Sequence, residues 1–213
     1  MILAVETSTR SFSAALFHER VIGCVEHLNE IARSQGIVGT VSRMLSGLGL
    51  AVSDLEAVYA GTGPGSFTGI RIGLAFANAL LQTRGVPLLG VPTLDLLAFE
   101  GGGWYNSAVS LLRSRKSEAY AALYRGGVRV GEYLALGREE LHRFLREARP
   151  ERLVCSEDDY GELGLEAVMG AVFAYPRAAS VFPLAEASGL KPRREYLKPL
   201  YVRDSHAISH IHG

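Results

Sequence analysis

Two α/β lobes of like topology are predicted by this sequence, on three observations. Each half opens with strand, turn and strand: in the first, Ile2 to Val5 is apolar, Glu6 to Ser11 polar and Phe12 to Phe17 apolar. Slid against itself by 107 positions, the chain sets Ala14-Ala15-Leu16-Phe17 on Ala121-Ala122-Leu123-Tyr124, Val21 on Val128, and Ile2–Val5 on Val109–Leu112. Both halves then continue as helix, strand, helix, and this shared order is a stronger sign of duplication than the alanine-rich identities. The first lobe is expected over 1–101 and a smaller, degenerate second lobe with a C-terminal tail over 102–213, divided at Gly101-Gly102-Gly103.

The elements follow in order. A third extended run spans Val21 to Val25. From Glu30 to Leu48, apolar Ile31, Val38, Val41, Met44, Leu45 and Leu48 recur near the helical period, interrupted by Gly36 and Gly39. Leu55 to Ala60 reads as a strand and feeds the join GTGPGSFTGIRIG at 61–73. A helix to Arg84 follows, with Ser66 or Thr68 as its cap. Pro87 to Val91 predicts a short strand, and Pro92 to Phe99 a short helix with Pro92 in its first turn. The second half supplies a helix at Arg138 to Ala148, a strand at Leu153 to Ser156 and a helical stretch from Tyr160. This duplicated plan is the actin-like architecture shared by sugar kinases and heat-shock ATPases, in which two β-turns hold nucleotide phosphates across an interlobe cleft.

Composition narrows the partners. Lys plus Arg number 22, as do Asp plus Glu, so no overall field draws nucleic acid or an anionic membrane. Hydrophobic residues make up 48%, enough for packed cores. No apolar run reaches the roughly 20 residues that span a bilayer, and MILAVETSTR lacks the features of a leader, so a cytoplasmic protein is expected. Cys24 and Cys155 stand too far apart for a zinc knuckle.

Five stretches bear on candidate chemistry. Glu6 stands just past the first strand, where this architecture places a carboxylate that positions a metal or water, and Thr7 and Ser8 offer hydroxyl and N–H donors to a phosphate. The same tetrapeptide Glu6-Thr7-Ser8-Thr9 is equally an ordinary polar turn. In the join, Gly63, Gly65 and Gly69 let backbone approach a ligand, and Ser66, Thr68 and Arg71 sit at a helix N-terminus suited to an anion. A tight turn in which glycines admit close helix packing fits as well. No Gly-Lys-Ser/Thr follows, so it is not a P-loop.

At the second turn, Arg113-Ser114-Arg115-Lys116-Ser117 puts Arg113 where the first lobe has Glu6, a clamp for an anion or a solvated turn. Ser156-Glu157-Asp158-Asp159 stands where nucleotide-binding members carry glycines, and three acids there repel phosphate. His206, His210 and His212 have a metal-like spacing but lie in the tail. No nucleophile–base pair and no catalytic residue is read.

ILAVETST at 2–9, GPGSFTGIRIG at 63–73, RKSEAYAALY at 115–124 and KPLYVRD at 198–204 together resemble the TsaB (YeaZ-like) family of bacterial tRNA threonylcarbamoyladenosine biosynthesis proteins. The likeness runs over nearly the whole chain, including Tyr175-Pro176-Arg177-Ala178-Ala179. It departs at Ser34-Gln35-Gly36, at Arg113 and at Ser156–Asp159.

The resemblance implies a non-catalytic partner subunit. It would bind and activate a larger, metal-dependent TsaD-like paralogue, which attaches threonylcarbamoyl to the adenosine beside the tRNA anticodon. A TsaE-like P-loop ATPase is the further partner, ATP and a divalent metal belong to the partner proteins, and tRNA is met through the complex. No cofactor or metal is expected tightly bound here. The expected seam, with the paralogue or a second copy, uses Met44, Leu48, Ile72, Ala75, Phe76 and Ala79 on the two small-residue helices. The alternative is an independent ATP-binding kinase or hydrolase of the actin-like superfamily.

Overall fold

The computed structural model describes residues 1–27, 36–102, 106–115 and 117–202. The histidines at 206–212 and the start of the helix expected from Glu30 lie outside the described residues. The chain divides into two units, Met1–Leu96 with Tyr175–Leu200, and Leu97–Ala174 with Tyr201–Gly213.

The first unit is a five-stranded mixed sheet. Strands β1 (Ile2–Glu6), β2 (Phe12–His18) and β3 (Arg20–His27) form the antiparallel meander, and β4 (Ala57–Gly63) and β5 (Leu88–Pro92) extend it in parallel. Helix α1 (Gly36–Gly47) lies in the crossover to β4, and α2 (Phe67–Arg84) in that to β5. The order is β3-β2-β1-β4-β5. Buried on both faces, β1, β2 and β4 read as near-continuous apolar runs, while the edge strand β3 is largely exposed. Leu3, Val5, Phe12, Ala14, Leu16, Val58 and Ala60 meet Ile37, Val41, Leu45, Ile70, Leu74 and Ala77 of α1 and α2. On the other face, small Ala4, Ala15 and Ala57 let a further helix approach.

That helix is α6 (Ala178–Ala187), and it comes from the far end of the chain. Its Val181 and Ala185 are fully buried, Phe182 packs on Phe17 and Tyr59 with ring centroids 5.0 and 6.1 Å apart, and Ala178 N donates to Ser13 Oγ at 2.8 Å. Burying Phe17 or Tyr59 contributes about 2–3 kcal/mol each. The expected second lobe over 102–213 is therefore interrupted: 175–200 returns to the first unit because its apolar face fits that sheet. After α6 a strap runs over β5 and α2, held by Leu88 and Arg193 pairing backbones at 2.7 and 2.8 Å and by Asn78 exchanging two hydrogen bonds with the Leu197 backbone.

The second unit repeats the sheet. Strands β6 (Ser107–Arg115), β7 (Glu118–Arg125), β8 (Val128–Gly137), β9 (Arg152–Cys155) and β10 (Ala171–Phe173) run in the order β10-β9-β6-β7-β8, the first sheet's order strand for strand. Helices α4 (Arg138–Ala148) and α5 (Glu157–Glu162) stand in the crossovers, and α3 (Thr93–Glu100) holds the division between units. Leu141, Phe144, Leu145 and Ala148 of α4 bury against Val109, Leu111, Ala121 and Leu123. The duplicated α/β plan expected from the sequence, with its actin-like strand order, is thus present.

Its register is not the expected one. Phe17 and Tyr124, 107 apart, pair with Ile2 and Ala108, 106 apart. Leu3 and Val5 correspond to Val109 and Leu111, which face the helices in each sheet. Between equivalent pairs the second hairpin holds one residue more, 16 positions from Ala108 to Tyr124 (124 − 108) against 15 from Ile2 to Phe17 (17 − 2), so one offset cannot serve both strands. Because side chains alternate, a slip of one residue reverses the face. Glu6 pairs with Ser13 and its counterpart is Leu112, which pairs with Tyr120; Arg113 corresponds to Thr7 instead.

Candidate functional site

Glu6 ends β1 pointing away from α1 and α2, on the same face as Gly61 of β4. It has no solvent exposure. Ser8 donates to Oε1 from both its backbone N and its hydroxyl, and Thr93 Oγ1 donates to Ser8 Oγ at 2.7 Å. Oε2 has no hydrogen-bond partner among the described residues. It occupies the place a Gly61 Cβ would take, with Glu6 Cδ 2.7 Å from that position. Burial raises the carboxyl from 4.5 to about 7, and the Ser8 hydroxyl, the Ser8 N–H and the Thr7 N–H draw it partly back.

The glycines of the join serve this turn. A Cβ on Gly65 would strike the Ser8 carbonyl, one on Gly69 the Thr7 carbonyl, and one on Gly73 the Thr7 hydroxyl. Gly65, at φ 154°, also lies in the region that favours glycine. Thr7 Oγ1 donates to Gly69 O at 2.8 Å, and Ser66 N donates to Ser8 O at 2.6 Å. Ser66 is the cap, accepting from Gly69 N at 3.2 Å, while Thr68 is exposed inside the helix. Gly63 adopts φ 97°, its Cβ position filled by Ile70, and Leu200 N bonds Thr62 O at 2.9 Å. The close approach these glycines allow is between the turn after β1 and the start of α2. Glu6, Gly65 and Gly69 therefore do not fit a phosphate or metal in this arrangement: the carboxylate is sealed and the glycine space is filled.

Arg71 is exposed and stacks over Phe67, its guanidinium carbon 3.7 Å from the ring centroid. Arg113 lies in the second unit and is not the anion clamp that its place in the turn suggested. Its Nη1 meets Glu162 Oε2 at 2.7 Å, its Nε stands 3.5 Å from Asp159 Oδ1, and its backbone N donates to Asp159 Oδ2 at 3.1 Å. Of the three acids expected to repel phosphate, Asp159 instead pairs with this arginine, together with Glu162, which the expectation did not include. Ser156 caps α5 through Asp159 N at 3.0 Å, as Ser66 caps α2. Among the described residues no group of three His, Cys, Asp or Glu side chains is placed to hold a metal.

Of the expected seam, Leu48, Ile72, Ala75 and Ala79 are exposed, while Met44 and Phe76 are half-buried against the first unit's core. Sequence reasoning missed Gly61, Thr93, Asp159 and Glu162 as partners of the two turns. For Asp159 a signal existed: Ser156-x-x-Asp159 is a capping spacing.

Comparison with known proteins places this arrangement. The TsaD family, described as tRNA N6-adenosine threonylcarbamoyltransferase, matches residues 7–144. The tRNA threonylcarbamoyladenosine biosynthesis protein TsaB of Escherichia coli (strain K12) is 31% identical over 229 residues, covering all of this chain and 98% of that protein. The Bacillus subtilis (strain 168) protein of the same name is 28% identical over 58% of this chain and 55% of its own length. Among solved structures, YeaZ from Pseudomonas aeruginosa superposes with a TM-score of 0.75 at 26% identity, over 94% of this chain and 99% of that one. A second, described as an uncharacterized protein with similarity to peptidase YEAZ from Pseudomonas aeruginosa, gives 0.78 at 25% identity over 95% and 99%. No helix among the described residues is long and apolar enough to cross a membrane.

Proposed function

The chain belongs to the TsaB family of tRNA threonylcarbamoyladenosine biosynthesis proteins, and from that premise we propose that it acts as a non-catalytic partner subunit in this tRNA modification. It docks a TsaD-like, metal-dependent paralogue and activates it, and the transfer of the threonylcarbamoyl group belongs to that paralogue. ATP and the divalent metal are held by the partner proteins, the TsaE-like P-loop ATPase included. The cytoplasm, where tRNA is modified, is its place of work.

One observation carries this reading: α2 presents Ile72, Ala75 and Ala79 to solvent as an apolar ridge of small and medium side chains, and Leu48, in the turn just past α1, is exposed as well. Such a ridge admits a facing helix pair at close range. The sealed Glu6 turn supports a partner role over the alternative of independent ATP turnover, since a carboxylate without exposure positions no attacking water.

The test is co-purification with the paralogue. Ala79→Glu puts a charge on the exposed ridge of α2 and is expected to abolish capture while the circular dichroism melt stays unchanged. Capture equal to wild type would remove the seam from consideration. Mixing the chain with paralogue, ATPase, ATP, divalent metal and tRNA is expected to restore modification that none supports alone.

A further inference from the structure

The strap that crosses α2 and β5 is not used by the docking ridge. Lys191-Pro192-Arg193-Arg194-Glu195-Tyr196-Leu197-Lys198 holds four of the chain's 22 Lys and Arg in eight residues, beside a single carboxylate. Its backbone is fixed by the Leu88–Arg193 pairing and by Asn78 on Leu197, so the inward groups are spent on anchoring. Lys191, Arg193, Arg194 and Lys198 are exposed, and Tyr196 is 58% exposed among them. None of the four cations makes an ion pair among the described residues.

The elements under the strap add no negative charge. From Ala57 to Leu94 the chain carries Arg71 and Arg84 and no carboxylate. Arg84 is exposed at the end of α2, four residues before the Leu88 that pairs with Arg193. In a protein of zero net charge, four cations are thus concentrated on one fixed segment, with Glu195 the one carboxylate among them, over the carboxylate-free stretch from Ala57 to Leu94. A row of unpaired cations with an exposed aromatic ring between them suits a phosphate backbone and an unstacked base.

We infer that this strap is a direct contact surface for the tRNA, the cations on the phosphate backbone and Tyr196 available to stack. The choice of tRNA as the polyanion rests on the function proposed above.

The experiment titrates a labelled, unmodified tRNA transcript with the full chain, with and without the paralogue, at 50 and 200 mM salt. Arg193→Gln, Arg194→Gln and Lys198→Gln together are expected to weaken binding at least about tenfold at the lower salt and to flatten the log–log salt dependence by about two, at roughly 0.7–0.9 per lost phosphate contact. Tyr196→Ala is expected to weaken binding several-fold without changing that slope. The changed side chains are exposed, so an unchanged melt verifies the fold. Equal affinity and slope for wild type and triple variant overturns the inference, as does displacement by polyglutamate at the concentration at which tRNA competes. Modification supported by a chain whose tRNA binding ignores the strap sinks this inference alone. Strap-dependent tRNA binding by a chain that supports no modification sinks the partner reading and leaves the RNA surface standing.

Discussion

Thr7 and Arg113 hold corresponding places, Thr7 just past the end of β1 and Arg113 still paired with Ala119 near the end of β6, and each ties its sheet to the helix that follows the fourth strand. In the first unit the tie is made by removing atoms. Gly69 and Gly73 let Thr7 sit against the backbone of α2, with one neutral hydrogen bond of 2.8 Å. In the second unit it is made by adding charge, with Arg113 between Asp159 and Glu162 of α5. Capping serines fix the alignment, Ser66 onto Gly69 and Ser156 onto Asp159. The five residues Gly61-Thr62-Gly63-Pro64-Gly65 that separate Ala60 from Ser66 have no counterpart between Cys155 and Ser156. One topology thus tolerates a steric closure and an electrostatic one. The first fails when a methyl is added, the second when a charge is lost.

The largest expected effect tests the steric side. Gly69→Ala sets a methyl against the Thr7 carbonyl, a backbone atom that cannot rotate away, and is expected to cost more than ~3 kcal/mol in urea denaturation. A loss below about 1 kcal/mol would mean the turn is loosely packed.

The next concerns the sealed acid, which only the first unit has. The unfolded chain releases the Glu6 proton near 4.5, the folded chain near 7. Between those values folding retains a proton the unfolded state has lost, so stability falls by ~2–4 kcal/mol as pH rises from about 4.5 to about 7, and the effect is flat above. Glu6→Gln is expected to flatten that segment of the stability–pH curve, and an unchanged slope would place the titration elsewhere.

The smallest tests the ionic side. Arg113→Ala leaves Asp159, its side chain 15% exposed, without its cation and is expected to cost ~1–3 kcal/mol. Glu162 is half in solvent and screened, so most of the coupling in a double-mutant cycle falls on Asp159. A coupling of zero would make the arginine a packing residue.

Much of the fold was legible. α4 spans the expected Arg138 to Ala148 without shift, because its four buried positions repeat at helical spacing on an otherwise charged helix. The Ser66 cap was readable for a similarly local reason. Pro92, expected in the first turn of α3, is the last residue of β5 instead, since its fixed φ suits a strand end as well as a helix start. The glycines of the join were visible, but not what fills them, since a missing Cβ fits a ligand and a neighbouring carbonyl equally well.

Composition and periodicity by themselves determined two α/β halves with the same order of elements, because burying an apolar face is a local property of each strand and helix. Tertiary structure alone decided that Glu6 is sealed over Gly61, that Arg113 answers to Thr7, and that α6 closes the first sheet. Each of those depends on strand register or on a contact across more than 40 residues, and alternation of side chains turns an error of one position into the opposite face.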